Sequence, residues 1–327
     1  MAWQTKMTAL SGGGYNNCVA YDPTTRDHII CGGDTFDFNE SWDGGLTWHI
    51  ANLGLLKNTG GVCGITFDPV TGRVYAGVVN APTILVGNTV SDASGKFTRW
   101  AGAAANPGSF FGGANPAWLP GADTRPRATG RVIEVDNTSP GPVYVYSQPF
   151  ANGIWRSTND YATATQIYSN TATIGQQLNG ILVDPTNKTR LLVGRWGYGD
   201  SKTGAAQIGN IRAAAAGAAT YLNLANAPPS VLEFCAIGNT VYAACGWDGV
   251  WGVSRDGSNN WTVWTQLDLG LPLGTPGIAG QPIYCGVAGY NDGAHDVLFV
   301  CCANPPQIGS MYSGVFRCDQ ADLLGVA

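Results

Sequence analysis

One unit recurs along the chain: an apolar strand, an Asp-Pro or Asn-type turn, and a second apolar strand ending near glycine. The copies are VAYDPTTRDHIICGG from Val19, ITFDPVTGRVYAG from Ile65, IEVDNTSPGPVYVYS from Ile133, ILVDPTNKTRLLVG from Ile181, IGNTVYAACG from Ile237 and VAGYNDGAHDVLFVCC from Val287. Each predicts a hairpin, because β-branched and aromatic residues flank turn formers, and a proline after aspartate presets the turn's φ. The turns fall near Asp22, Asp68, Asp136, Asp184, Asn239 and Asn291, at separations of 46, 68, 48, 55 and 52 residues.

A hairpin cannot bury both its faces alone. Spacings close to roughly 40 to 50 residues fit four-stranded blades stacked radially, which cover one another's faces and leave short edges. The expected fold is all-β, a single six- or seven-bladed β-propeller over residues 1–327. The wide second gap holds a stretch poor in strand pattern, Ala101 to Gly130, read as an inserted loop carrying Phe110, Phe111 and Trp118. IRAAAAGAAT, from Ile211 to Thr220, is either a second insertion or a degenerate strand. Residues 1–10 are expected to supply the strand that closes the last blade, formed by residues 287 to 320.

After the first hairpin comes SWDGGLTW, Ser41 to Trp48, which fits S-x-D-x-G-x-T-W without a mismatch. In this pattern, the Asp box, the aspartate and glycines close a tight hairpin, the hydroxyls satisfy backbone groups, and the tryptophan plugs the space between strands. Ser41, Asp43, Gly45, Thr47 and Trp48 fill its positions. SRDGSNNW keeps Ser254, Asp256 and Trp261 at the same offsets, and WRSTNDYATA keeps Ser157, Asn159 and Thr163. These acids are read as turn elements, not catalysts, and so are Asp22, Asp68 and Asp184.

Composition narrows the function classes. A formal charge of -5 and a pI of about 5.1, without Lys/Arg clusters, give no footprint for nucleic acid. No apolar run reaches the roughly 18 residues of a membrane span. The start, MAWQTKMTALSGGG, lacks the apolar core of a secretory signal. The expectation is synthesis in the cytoplasm, or an extracellular chain whose signal has been removed. Nine cysteines, mostly inside apolar runs such as HIICGG and VLFVCC and without a CxxC, read as free core thiols. His28, His49 and His295 show no zinc spacing, and no cofactor or metal is expected.

Several motifs together resemble the first propeller of the xyloglucan-cleaving glycoside hydrolases of family 74. They are Trp3, the GGGY run from Gly12 to Tyr15, VAYDP, HIICGG and then Asp34, followed by RATGRVIEVDNTSPGPVYVYSQPFANGIWRSTND from Arg127. The likeness covers most of the chain at low identity. It implies that Asp34 stands where that family has its general base. The family carries its general acid on a second propeller, and this chain reaches Ala327 without a second set of repeats. Hydrolysis normally uses two carboxyls roughly 5 to 9.5 Å apart. A sialidase is disfavoured by the scarcity of arginine.

Two functional readings follow. The first is a non-catalytic propeller module that binds glycan or protein within a larger assembly, with a profile that resembles phage virion structural, decoration or host-recognition proteins. The second is an endo-acting hydrolase of β-glucan or xyloglucan, with Asp34 as base and an acid from among Asp37, Glu40, Asp123 and Glu134, or from a partner chain. Trp118, Trp196 and Tyr198, with Phe110 and Phe111, are the expected ligand-binding aromatics, since apolar sugar faces stack on such rings. Trp48, Trp155, Trp251 and Trp261 are expected in the core.

Overall fold

A computed structural model describes residues 16–25, 27–33, 38–55, 62–78, 84–93, 95–102, 131–137, 143–147, 153–168, 177–185, 187–188, 190–196, 207–210, 221–223, 228, 231–255, 262–267, 271, 273–274, 283–291, 293–303 and 314–318. Every regular element among them is a β-strand. The chain divides into two compact units, residues 1–111 with 132–166 and residues 112–131 with 167–327.

In the first unit, β1 (Asn16–Tyr21), β2 (Ile29–Gly33), β3 (Phe38–Ser41) and β4 (His49–Ile50) form one sheet. A second contains β5 (Val62–Phe67), β6 (Val74–Val78), β7 (Ile84–Asp92) and β8 (Gly95–Gly102), and a third β9 (Ile133–Asp136), β10 (Tyr144–Ser147), β11 (Ile154–Ser157) and β12 (Thr165–Tyr168). In the second unit, β13 (Gln177–Val183), β14 (Arg190–Trp196), β15 (Gln207–Asn210) and β16 (Tyr221–Asn223) form a sheet. Another holds β17 (Glu233–Ile237), β18 (Thr240–Ala244), β19 (Val250–Ser254) and β20 (Thr265–Leu267). The last has three strands, β21 (Ile283–Asn291), β22 (Asp296–Ala303) and β23 (Gly314–Cys318). In every sheet the strands lie in chain order, as in a propeller blade, and the six recurring sequence units are the first two strands of the six sheets.

The turns hold because their aspartates replace backbone partners. Asp68 donates its amide to the Arg73 carbonyl at 2.7 Å, and its Oδ1 accepts the Val70 amide at 2.8 Å. The Thr71 hydroxyl reaches Oδ2 at 2.6 Å, while the Asn137 amide group, just past β9, donates to both carboxylate oxygens at 2.8 and 2.9 Å. Burial alone would raise this carboxyl, but the bonds from Thr71, Asn137 and the backbone outweigh it and hold it below the ordinary range. The same aspartate therefore shapes its own hairpin and ties the second sheet to the third.

Apolar side chains fill the spaces between sheets. Ile30, Phe38, Val62, Val74, Leu85 and Trp100 belong to one buried cluster, in which Phe38 stacks on Trp100 at 4.2 Å and the Trp100 indole donates to the Ala51 carbonyl. A second cluster joins Leu192, Phe234, Val253 and Trp264, and a third Tyr242, Val250, Tyr284 and Leu298.

The core tryptophans differ from those expected. Trp100, Trp247 and Trp264 are buried, whereas Trp48, Trp155 and Trp251 are half-buried, and Trp261 lies outside the described residues. Trp48 instead closes its own turn, donating Nε1–H to the Gly45 carbonyl at 3.1 Å. The inserted loop expected from residue 101 starts later, since β8 runs to Gly102. The rest of that loop, residues 1–10 and the segment 211–220 lie outside the described residues. Cys31, Cys235 and Cys245 are free and buried, and Cys318 is free and half-buried. Among the described residues no helix is long and apolar enough to cross a membrane.

Candidate functional site

Asp34, between β2 and β3, lies outside the described residues, as do Asp37, Phe110, Phe111, Trp118, Asp123, Tyr198 and Asp256. Trp196 ends β14, but its side chain is not described. Ser254 ends β19, where its carbonyl accepts the Thr262 amide at 2.9 Å.

The Ser41–Trp48 turn is described in full. Ser41 Oγ donates to Asp43 Oδ1 at 2.8 Å and accepts the Gly45 amide at 2.7 Å. Asp43 accepts the Thr47 amide at 2.8 Å and the Thr47 hydroxyl at 2.6 Å, and these bonds hold its carboxyl down at about 2. Ser157, Asn159 and Thr163 repeat the scheme with an amide in place of the acid: Asn159 Oδ1 accepts the Thr163 amide at 3.0 Å, and Ser157 Oγ accepts the Tyr161 amide at 2.8 Å. Their polar groups face their own turns.

The other carboxylates engage neighbouring sheets. Both oxygens of Glu40, in β3, accept the Thr98 amide of β8 at 3.1 Å. Asp160 accepts the Tyr75 hydroxyl at 2.5 Å and pairs with Arg73. Asp184 pairs with Arg255, and Asp296 accepts the Tyr242 hydroxyl at 2.5 Å and the Asn291 amide group at 2.8 Å. Glu40 and Glu134 are both buried. Glu40, expected among the candidate acids, accepts the amide of a neighbouring strand.

Glu233, which the sequence reading passed over, stands apart. It opens β17, and its Oε2 accepts the Val287 amide of β21 at 3.2 Å. Burial pushes its carboxyl up to about 7, against the opposing effects of the Arg131 guanidinium and the Val287 bond. Cys235, two residues on, is pushed up to about 11, again first by burial. The inner strands approach closely here: the Arg131 carbonyl accepts the Ile181 amide at 2.7 Å. Gly180 has φ +68, and a Cβ there would come within 2.7 Å of the Leu232 carbonyl oxygen, so no side chain fits. A carboxyl that carries a proton near neutral pH can donate it, which the carboxylates held in the turns cannot do. The available signal was a single acid inside the apolar run VLEFCAI. Among the described residues no group of three His, Cys, Asp or Glu side chains is placed to hold a metal ion.

No family model matches the chain, and no curated protein matches it. Solved structures do. The chain is similar to the GH74 xyloglucanase of Xanthomonas campestris, with a TM-score of 0.56 at 15% identity over 94% of this chain and 46% of the enzyme. It is also similar to YCF48 of Cyanidioschyzon merolae, with a TM-score of 0.51 at 11% identity over 95% of this chain and 87% of that one. These likenesses show an all-β chain with a β-propeller arrangement. The chain spans less than half the length of the xyloglucanase.

Proposed function

We propose that the chain is a single β-propeller module, built on Asp-box hairpins, that binds a glycan or a protein within a larger assembly. The observation that carries this reading is the use of the described acids: Asp22, Glu40, Asp43, Asp68, Asp160, Asp184 and Asp296 all bond to their own turns or to neighbouring strands. The six sheets among the described residues support six blades over seven. The matching bonds of the Ser41 and Ser157 turns support the Asp-box assignment. The low charge content, 12%, and the cysteines on apolar strands support a place among phage virion subunits made in a reducing cytosol.

A hydrolase reading keeps one support, the Glu233 carboxyl that holds its proton up to about pH 7. Reducing-end assays on soluble β-glucans and xyloglucan separate the two. The binding-module reading expects no appreciable turnover alongside weak oligosaccharide or protein capture, because loss of general acid catalysis alone costs about 10²- to 10⁴-fold. Robust turnover abolished in Asp34→Asn would establish the hydrolase instead.

A further inference from the structure

Beneath the junction of the first two sheets lies a polar cluster sealed from solvent. His28 is fully buried, stacked flat on Trp42 at 3.6 Å with Phe67 edge-on at 5.4 Å. Its Nδ1 lies 3.0 Å from Asp22 Oδ2, and Asp22 also accepts the Thr24 amide at 2.8 Å and the Thr24 hydroxyl at 2.7 Å. A carboxylate only accepts, so in the neutral ring the proton sits on Nδ1 and Nε2 presents a lone pair. Facing Nε2 at 3.6 Å is Oε2 of Glu40, another acceptor. That separation is too long for a direct hydrogen bond.

Two further polar atoms are stranded beside them. His28 Nε2, the Thr98 hydroxyl and the Trp42 indole nitrogen are all buried without a hydrogen-bond partner. Thr98 adjoins Glu40 through its amide, and Trp42 adjoins His28 through the ring stack. Leaving a buried polar group unmet costs about 1–3 kcal/mol, so a buried Nε2 lone pair facing a second acceptor calls for a partner that donates to both.

We propose that this cluster is a binding site for one water molecule, bridging His28 Nε2 and Glu40 Oε2. The occupant must donate to two acceptors and also accept from the Thr98 hydroxyl. Water does this with the two to four partners usual for buried waters. Ammonium has no lone pair for the hydroxyl proton, and an anion would meet Asp22 and Glu40. The bound water would join the first sheet to the second, since Glu40 reaches β8 from β3.

A crystal structure at about 1.2 Å resolution or better, with ¹⁵N spectra of the His28 ring, tests the site. The expected result is ordered density within about 3 Å of both Nε2 and Oε2, with a ring protonated at Nδ1 alone. An Nε2 to Oε2 contact closed to hydrogen-bond length, with both ring nitrogens protonated and no density between, would overturn it. Glu40→Gln places an amide donor opposite Nε2, so the density should vanish while the tautomer stays; density that persists unchanged counts against the bridge. Should that variant not fold, a cross-peak from the Thr98 hydroxyl proton to water in the unaltered protein serves the same end, and its absence would also count against the site.

Discussion

Glu233 shows how one side chain sets a pH dependence. Its ordinary value of 4.5 rises to about 7 on folding, chiefly by burial. Between those two values the folded chain keeps a proton that the unfolded chain has released, so stability is complete below the lower one and falls as pH rises through the upper one. At about 1.4 kcal/mol per unit, the loss approaches ~3 kcal/mol. Glu233→Gln retains an acceptor for the Val287 amide and carries no charge. It is expected to exceed the parent's stability by ~2–3 kcal/mol at about pH 8 and to match it at about pH 4.5. Urea unfolding at both pH values measures this, and equal stabilities throughout would mean that the carboxyl is not desolvated. Asp43 has the opposite sign: its carboxyl is lowered to about 2, so its contribution is present above 3.8 and is lost as pH falls toward the lower value.

Two turns with one bonding scheme solve the same backbone problem differently. In the Ser41 turn the left-handed positions are Gly44, φ 70, and Gly45, φ 88; in the Ser157 turn they are Asp160, φ 54, and Tyr161, φ 59. A non-glycine residue there costs roughly 1–2 kcal/mol. Asp160 offsets that cost by accepting the buried Tyr75 hydroxyl, 85 positions away in sequence. Asp160→Gly would relieve the backbone but strand that hydroxyl at about 1–3 kcal/mol, so the expected net change is destabilising. In a Tyr75→Phe background the same replacement is expected to cost less, because only the backbone relief and the loss of the part-exposed Arg73 pair remain, and these are of similar size and opposite sign. Urea unfolding of the four variants gives the coupling, and strict additivity would remove the tie. The Ser, Asp or Asn and Thr spacing was legible in the sequence because it is local. The tie was not, since nothing near Asp160 names a tyrosine two hairpins earlier.

At the scale of the molecule, the six inner hairpins were legible because each carries its own turn chemistry within about fifteen residues, as at Asp68 and Asp184. The outer strands were harder to read: β4 is two residues long and exposed, and β20 is three residues long with two of them exposed, so neither offers an apolar alternation. Which tryptophan is buried depends on the facing sheet, and Trp100 and Trp264 lie in runs that give no local hint of it. Glu233 gains its raised carboxyl from burial, against the Arg131 guanidinium and the Val287 amide, a setting that spacing cannot encode. The last sheet carries one further expectation. Among the described residues it has three strands where the other sheets have four, and β23 is its outer member. An edge left without a fourth strand would invite pairing with another chain, so propellers close it. The proposed closing strand is residues 1–10. Deleting them is expected to lower the urea midpoint, to promote self-association, and to strip hydrogen-exchange protection from those amides of Val315, Phe316 and Arg317 that point away from β22. If protection in β23 and the midpoint were both unchanged by the deletion, the closure would be wrong, and a different segment would have to cover that edge.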